Sequence, residues 1–347
     1  MLTWVHDTTD WHDYLQTAER CYCDLATTIL RYEALLIICR DHTHQQHIHQ
    51  QLIAHKALTK QELARLHFCH SDYNDTWVRD YGFITVFEQM ATGTTSTCLL
   101  DFQFNAWGNK FVAEADNQVN RQLQQHPLFA DCTMQHYPWV LEGGSIDSDG
   151  QGTLLTTTQC LLNPNRNPLF DQATIEQHLQ QTLGAERILW LKHGYIAGDD
   201  TDAHIDTLAR FASTERIVYV AATHADLPQM AAELQALRQQ NGQPYELYPV
   251  PLPIIEALDD QGKPRQLPAS YVNFLIINQA VLVPTYDVPE DAIALAQIQR
   301  AFPHHTIMPI NCRVLIEQNG SLHCVTMQIP DNKTFKQINQ SYFLENT

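Results

Sequence analysis

The sequence GDDTDAHIDTLARF, from Gly198 to Phe211, decides the fold because its second half opens a unit that recurs along the chain. HIDTLARF has the alternation of a strand, and this alternation places His204 and Asp206 on one face. A second strand pattern, RIVYVAAT, follows, and then a helical pattern over Leu227 to Gln239 and a third strand pattern, YELYPV. The sequence therefore predicts a unit of two strands, a helix and a strand.

The same order of elements occurs three more times. Internal periodicity of this kind is typical of stacked or radially arranged units, whose faces are buried by their neighbours. The other copies are GFITVF, CLLDFQF, a helix from about Asp116 to Gln125 and MQHYPWV; GSIDSDG, GTLLTT, a helix over Ala173 to Leu183 and RILWL; and ASYVNFLII, AVLVPTY, a helix over Glu290 to Phe302 and HTIMPI.

The two chain ends supply a fifth unit if they meet. The C-terminal strand pattern SLHCVTMQI would then join the N-terminal strand pattern MLTWV, a helix from about Asp10 to Arg31 and the strand pattern ALLIIC. We therefore expect an α/β fold in which five units close into a ring. The ring would form a single domain over residues 1–347, closed by the N- and C-terminal segments.

Polar residues recur at one point of this unit. Asp80 and Glu142 are 62 residues apart, and so are Glu142 and His204. If each unit starts near the central axis, these three side chains converge there with Asp206 and Cys324. The sequence thus predicts one site built from several units.

Composition excludes several classes of protein. The chain has 347 residues, 44% of them hydrophobic and 17% charged, which is enough material for a packed core. No apolar run approaches the roughly 18 residues of a membrane span and no signal peptide pattern is present, so we expect a cytoplasmic protein. The net charge of −18 argues against nucleic acid, and it favours a cationic small molecule or serves only solubility. The nine cysteines, without a regular spacing, are expected to be reduced thiols.

The aspartates around His204 raise the question of which cation they bind. Oxygen ligands alone suit Ca²⁺ or Mg²⁺, mixed histidine and carboxylate sets suit transition metals, and an organic cation is the third option. A thiolate is a strong nucleophile, an imidazole can carry its protons, and carboxylates bind a planar guanidinium. Cys324 and His204, beside carboxylates such as Asp80 and Asp206, therefore suit attack on a guanidinium carbon.

Motifs spread along nearly the whole chain resemble those of the agmatine deiminase family, which is related to bacterial peptidyl-arginine deiminase. The resemblance implies the five-bladed α/β-propeller, or pentein fold, of guanidine-modifying enzymes. It also implies a small cationic guanidine as the substrate, and no cofactor and no metal. The motifs are NDTWVRDYG (74–82), FQFNAWGNK (102–110), EGGSIDSDGQGTLLTT (142–157), CLLNPNRNP (160–168), GDDTDAHID (198–206), ASYVNF (269–274) and HCVTMQIP (323–330).

The resemblance also assigns roles to individual residues. Cys324 is similar to the family nucleophile and His204 to its general acid and base. Asp80 and Asp206 resemble the carboxylates that bind the guanidinium, and Glu142 resembles the acidic partner that orients the histidine and raises its pKa. The residue that resembles the aromatic wall of the substrate channel is Trp77.

The sequence leaves two possible roles open for several residues. Asp199 and Asp200 either cap the chain before the strand or, with Asp202, receive an amine of the substrate. Arg166 or Arg210 could instead receive a carboxylate, although the turn formers in NPNRNP favour a structural loop. The histidine-rich run from His42 to His55 is interpreted as a solvated helix face.

Some positions depart from the family pattern beside the expected site. Ala203, Thr207 and Phe83 stand where a glycine, an asparagine and a proline are common, and Asn319 to Leu322 replace a glycine-rich run. The chain also begins at MLTWV, without the short leading segment that most members carry, so one wall of the pocket is expected to differ. Agmatine is the expected substrate. Free or peptidyl arginine, a non-catalytic propeller, a metal-dependent hydrolase and assembly into a homo-oligomer are left open.

Overall fold

The structure, a computed structural model, describes residues 1–90, 93–223, 226–259 and 261–330. The last part of the predicted domain, residues 331–347, lies outside the described residues. Within those ranges, no helix is both long enough and apolar enough to cross a membrane.

The described strands form five three-stranded sheets and one two-stranded hairpin. The middle strands of two sheets, Leu35–Cys39 and Ala280–Thr285, are nearly continuous in apolar residues, as expected for strands that are covered on both faces. The strands are β1 (Leu2–Thr3), β2 (Leu35–Cys39), β3 (Leu66–His70), β4 (Ile84–Gln89), β5 (Thr95–Gln103), β6 (Thr133–Val140), β7 (Ile146–Ser148), β8 (Thr153–Thr157), β9 (Arg187–Leu191), β10 (Ala209–Phe211), β11 (Arg216–Ala221), β12 (Glu246–Pro251), β13 (Ile255–Leu258), β14 (Pro264–Leu267), β15 (Leu275–Ile277), β16 (Ala280–Thr285) and β17 (Thr306–Asn311).

Most of the described α-helices lie, in chain order, between the second and third strands of a sheet. Short 3₁₀ turns cover His12–Tyr14, Asp116–Gln118, Pro127–Phe129, Gly143–Ser145 and Leu315–Gln318. The α-helices are α1 (Leu15–Tyr32), α2 (His42–His55), α3 (Lys60–Leu63), α4 (Val78–Tyr81), α5 (Ala106–Asn109), α6 (Val119–Gln124), α7 (Thr158–Leu161), α8 (Gln172–Leu183), α9 (Ile205–Leu208), α10 (Leu227–Ala236) and α11 (Glu290–Ala301).

Four of the sheets share one topology. The first strand is antiparallel to the second and the third is parallel to it, as in β4–β5–β6 and β15–β16–β17. The long crossover that a parallel pair requires contains a helix, such as α8 between β8 and β9. The α/β class and the repeated order of elements are those predicted from the sequence.

The fifth sheet is all parallel, and the far end of the chain lies against it. β1, β2 and β3 pair in parallel. The Met1 amino group donates to Met327 O at 2.8 Å, Met327 N donates to Met1 O at 3.0 Å, and Leu2 forms an antiparallel bridge with Thr326. The two described ends of the chain are thus in contact, whereas closure of the five sheets into one ring stays a prediction.

The predicted C-terminal strand SLHCVTMQI is wrong over most of its length. Val325 N donates to Ser321 O and Thr326 N to His323 O, so that this segment is a series of turns with a single bridge residue. Side-chain alternation alone could not distinguish these turns from a strand. The helix predicted to reach Gln239 also ends earlier, at Ala236, because Leu237 is extended and Arg238 pairs with Pro244.

The predicted strand at His204 and Asp206 also needs correction. His204 is the residue before α9, and Asp206 lies in the first turn of that helix, ahead of β10. Similar turns stand ahead of other first strands: α4 precedes β4, and the 3₁₀ turn Gly143–Ser145 precedes β7. The polar residues that recur in sequence are therefore held by short helical turns rather than by strands.

Candidate active site

Gly144, in the turn ahead of β7, marks the point where side chains from α4 and from the start of α9 meet. A Cβ atom on this glycine would lie 2.6 Å from His204 Nδ1, 2.8 Å from Asp80 Oδ1 and 3.1 Å from Asp206 Oδ2. No side chain fits there without displacing one of the three groups. The 62-residue spacing thus does bring Asp80 and His204 together, as predicted.

Asp80 is fixed on both of its carboxylate oxygens. Trp107 Nε1 donates to Oδ2 at 2.9 Å, and the backbone N–H of Gly144 donates to Oδ1 at 2.9 Å. The side chain is buried, and burial raises the pKa of Asp80 although His204 opposes this effect. The two donors and the buried position therefore fix the orientation of the Asp80 carboxylate.

Glu142 is fully buried and paired with a guanidinium. Arg166 Nε donates to both of its oxygens, at 2.9 and 2.8 Å, and His204 Nε2 lies 3.7 Å from Oε2. Burial raises the pKa of Glu142, but the His204 imidazole and the Arg166 guanidinium outweigh burial and hold it below its ordinary value. Glu142 is therefore a permanent carboxylate beside the imidazole.

His204 lies between two carboxylates. Its Nδ1 is 3.7 Å from Asp80 Oδ1, while its Nε2 faces Glu142 and has no hydrogen-bond partner among the described residues. Burial lowers the pKa of His204, but the Asp80 carboxylate and its other acidic neighbours raise it well above its ordinary value. This shift favours the imidazolium form of His204 at neutral pH.

Cys324 lies opposite, in the turns that follow Ser321. Asn273 Oδ1 lies 3.4 Å from Cys324 Sγ and accepts from the backbone N–H of His323 at 2.8 Å. Asp206 Oδ2 is 4.0 Å from the same sulfur atom. The thiol is thus held between a neutral amide and a carboxylate.

The charges around Cys324 favour its protonated form in the empty site. Burial raises the pKa of the thiol well above its ordinary value, and the carboxylates of Asp206 and Asp80 raise it further. Burial also raises the pKa of Asp206 to about 7, although His204 acts in the opposite direction. A cation placed between these groups would reverse both shifts, because it stabilises the thiolate and the carboxylate.

A cavity of about 360 Å³ leads to this centre. Cys324, Asp80 and Trp77 line it, as do the aromatic rings of Trp107 and Phe111. None of the described lining residues is a lysine, an arginine or a histidine. The aspartates that line the cavity are Asp10, Asp75, Asp80, Asp116 and Asp200.

The aspartates ahead of His204 have different environments. Asp199 caps the loop, since its carboxylate accepts from the backbone N–H groups of Thr201 and Ala203 at 3.1 and 2.7 Å. Asp200 lines the cavity, and burial raises its pKa to about 6.

Asp202, which the sequence placed with the substrate, lies outside the residues that line the cavity. Its carboxylate is paired with Lys110 at 2.9 Å and with Arg166 at 2.7 Å. The structure therefore keeps Asp200 as a candidate contact, whereas Asp202 belongs to a partly buried ion-pair network.

Trp77 forms part of the cavity wall and packs closely on the chain near Cys324. A Cβ atom on Gly320 would lie 2.0 Å from the Trp77 ring. Trp77 Nε1 donates to Asp75 Oδ2 at 3.1 Å, and its ring packs on Trp11 with centroids 5.7 Å apart. Gly320, in the segment that departs from the family pattern, is thus the residue that lets this wall approach.

One set of side chains in the described residues has the chemistry of a metal site. The donor atoms of Glu142, Cys160 and His204 all lie within 4.8 Å of one another. The Arg166 guanidinium occupies both oxygens of Glu142, and it carries a positive charge into the same space. The geometry is therefore less suited to a metal ion than to an ion pair.

Sequence reasoning missed several residues of the site. Asn273 comes from the fourth repeat, just before β15, yet it does not fall in the 62-residue register because the hairpin β13–β14 is inserted before it. Trp107 and Arg166 lie within motifs that had been noted, but nothing in the sequence indicates which carboxylate each contacts. Cys160, whose sulfur is 4.0 Å from Glu142 Oε2, had no signal apart from its motif.

Comparison with known proteins gives one family. The family model for Porphyromonas-type peptidyl-arginine deiminase matches residues 1–330. Agmatine deiminase of Pseudomonas aeruginosa (strain LESB58) is 29% identical over 354 residues, which cover 95% of this chain and 92% of that protein.

Solved structures agree with this family. A cysteine-to-serine variant of C. jejuni agmatine deiminase with substrate bound is 34% identical, has a TM-score of 0.81, and is matched over 94% of this chain and 91% of its own. A Porphyromonas gingivalis protein provisionally named an arginine deiminase is 44% identical, has a TM-score of 0.82, and is matched over 95% and 94%. The chain therefore belongs to the Porphyromonas-type peptidyl-arginine deiminase family, and it is a guanidine-modifying deiminase that hydrolyses a C–N bond.

Proposed function

We propose that this enzyme hydrolyses agmatine to N-carbamoylputrescine and ammonia through a covalent intermediate on Cys324. The observation that carries the proposal is the cavity that reaches Cys324 and Asp80. Five aspartates line it, and the described lining contains no basic side chain. A guanidinium at one end of a substrate and an amine at the other would both be stabilised there, whereas a carboxylate would be repelled.

The basic side chains near the cavity support the choice of agmatine because they are already engaged. Lys110 Nζ donates to Asp200 O at 2.5 Å and pairs with Asp202. Arg166 is bound to Glu142 and Asp202, and Arg210 to Asp147 at 2.9 Å. None of these three is free to receive the α-carboxylate of arginine.

In the proposed mechanism, the substrate guanidinium lies between Asp80 and Asp206. Its positive charge favours loss of the Cys324 proton to solvent. The sulfur then forms a bond to the guanidinium carbon, and the π electrons of the C–N bond move onto nitrogen. The protonated His204 gives its proton to one nitrogen, which leaves as ammonia and breaks the first C–N bond. The product of this half-reaction is a thiouronium on Cys324.

Water completes the second half-reaction. His204, now neutral, takes a proton from the water that attacks the thiouronium carbon. The C–S bond breaks with its electron pair returning to sulfur, which takes the second proton of the water. Cys324 is then a thiol again, and the carbon keeps the oxygen as a urea. Glu142, held ionised by Arg166, stabilises the imidazolium that forms again.

We also propose that the five sheets are the blades of one propeller, with the site on its axis. Two observations support this arrangement: the contact between Met1 and Met327, and the convergence of side chains from five segments. Those segments carry Asp80, Glu142, His204, Asn273 and Cys324.

Free arginine is the second candidate substrate, because the 44% identical P. gingivalis structure bears an arginine deiminase name. Ammonia release from agmatine, arginine and a blocked arginine peptide, compared at one pH and ionic strength, tests the two. Release from agmatine alone supports the proposal. Release only from arginine or the peptide would refute agmatine as the substrate.

A further inference from the structure

We propose that a second cavity, behind the active site, binds a small organic carboxylate. Its volume is about 480 Å³, and Arg79, Arg210 and His323 line it. Arg79 is the chain neighbour of Asp80, and His323 is the neighbour of Cys324. Because Asp80 and Cys324 line the first cavity, both cavities border α4 and the Cys324 turns.

Arg79 is a buried cation that has no carboxylate oxygen within 4 Å of its guanidinium nitrogens in the described part of the chain. Only 3% of its surface is exposed, and it forms no ion pair with any carboxylate in the described part of the chain. Its Nε donates to His323 O at 3.3 Å and one terminal nitrogen to Gln328 Oε1 at 2.6 Å, while the other terminal nitrogen is buried without a partner. A bound anion would therefore stabilise this charge.

The other charged groups of this cavity do not supply that anion. Asp147 lines it too, but its Oδ1 accepts from Arg210 Nε at 2.9 Å and its Oδ2 from the backbone N–H of Phe211 at 2.7 Å. Burial and the neighbouring Arg210 lower the pKa of Arg79 to about 10, although Asp206 and Asp80 act in the opposite direction, so Arg79 is still charged at neutral pH. One positive charge is left facing the cavity.

The rest of the lining is largely apolar, which sets the class of ligand. Ile84, Ile146, Leu275 and Ile276 contribute aliphatic surface around the polar end. A guanidinium binds a carboxylate through paired N–H donors, and the volume is in the range of small-molecule sites. A carboxylate with a short apolar body, such as hexanoate or benzoate, matches both parts of the cavity.

The test is calorimetric titration of the full-length protein at constant ionic strength. Hexanoate and benzoate should bind saturably, and hexylamine should not. Arg79→Met removes the charge and should weaken binding by about tenfold or more. Arg40→Met, at an exposed arginine paired with Asp7, is the matched control and should bind as the wild type does.

A second variant covers the case in which Arg79→Met does not fold. Ile276 is 38% exposed at this cavity, so Ile276→Glu should fold and repel carboxylates; Ile254→Glu, at a position 69% exposed outside it, is its control. The proposal would be overturned if hexanoate and benzoate did not bind saturably to the wild type. It would also be overturned if Arg79→Met and Ile276→Glu both bound them as tightly as the wild type does. Phosphate binding as tightly as hexanoate would also overturn it, in favour of an inorganic anion site.

Discussion

Arg166 donates from Nε to both carboxylate oxygens of Glu142, at 2.9 and 2.8 Å, and both side chains are fully buried. The loop NPNRNP, which the sequence presents as a run of turn formers, thus places a cation behind the acidic partner of His204. Arg166 also donates to Thr201 O at 2.8 Å, just ahead of His204. One guanidinium therefore fixes both the charge of Glu142 and the position of the loop that carries the imidazole.

Removal of this guanidinium should destabilise the fold. Arg166→Met leaves Glu142 buried and unpaired, and breaking a buried pair costs about 3–5 kcal/mol. Urea unfolding followed by circular dichroism measures the loss. Arg216→Met is the matched control, since Arg216 pairs with Glu246 at the surface and exposed pairs contribute about 0–1 kcal/mol. Equal losses in the two variants would contradict the role of the buried pair.

The fold was predictable from sequence where hydrophobic periodicity governs it. The helices and the second and third strands of the repeats match the structure to within a few residues, since burial of an apolar face requires that pattern. The first strands match less well: the predicted strand ASYVNFLII, for example, is a strand only over Leu275–Ile277. Turns do not have such a signature, so the segment around Cys324 was mistaken for a strand. The residues of the site differ in the same way. His204 and Asp80 could be predicted because they recur at multiples of 62 residues, whereas the contacts of Asn273 and Trp107 are visible only in the folded chain.

Cys324 is the predicted nucleophile, so Cys324→Ala should abolish turnover while the circular dichroism spectrum is unchanged. In the wild type, substrate should slow alkylation of this residue by iodoacetamide, measured by peptide mass spectrometry. Cys132→Ala is the control, because Cys132 is partly exposed and lies outside the site. Turnover by Cys324→Ala at the wild-type rate would rule out the covalent mechanism.

Asp80→Asn tests the carboxylate that we place on the guanidinium. The variant loses a charge while the acceptor for Trp107 Nε1 is kept. We expect kcat/KM to fall by an amount that corresponds to a loss of roughly 3–5 kcal/mol in transition-state stabilisation.

EDTA should leave the wild type unchanged, although Glu142, Cys160 and His204 lie close enough for a metal ion. Activity that is lost with EDTA and restored by Zn²⁺ would reinstate the metal-dependent alternative.

The buried aspartates of the cavity should make the substrate-free protein less stable as pH rises. Burial raises the pKa of Asp116 to about 8, whereas the unfolded value is near 4. The folded state therefore keeps a proton that the unfolded chain releases, and its contribution to stability is lost as pH rises from about 4 to about 8.

Asp116→Asn removes this proton, and relative to wild type it should gain roughly 1–3 kcal/mol in unfolding free energy between pH 5 and pH 8. The backbone N–H groups of Asn74 and Asp75 can still donate to the amide oxygen. Urea midpoints at the two pH values give the difference, with Asp13→Asn at an exposed position as the control. A variant that loses stability towards pH 8 would show that the carboxyl is ionised in the folded state.

The enzyme should prefer agmatine to arginine by at least about a hundredfold in kcat/KM, because a like-charge contact in a partly dry cavity costs several kcal/mol. The two substrates differ by the α-carboxylate, which would enter a cavity lined by five aspartates, of which Asp116 keeps its proton at neutral pH and the others supply the negative charge. Asp200→Asn removes one of these charges and should narrow the preference, mainly through faster use of arginine. Asp7→Asn changes the net charge equally at a side chain that is 65% exposed, and it should leave the ratio unaltered. Steady-state ammonia release with both substrates at one pH and salt concentration gives the ratio. Equal specificity constants in the wild type would remove the amine-binding role of the cavity, while the deiminase chemistry at Cys324 would stand.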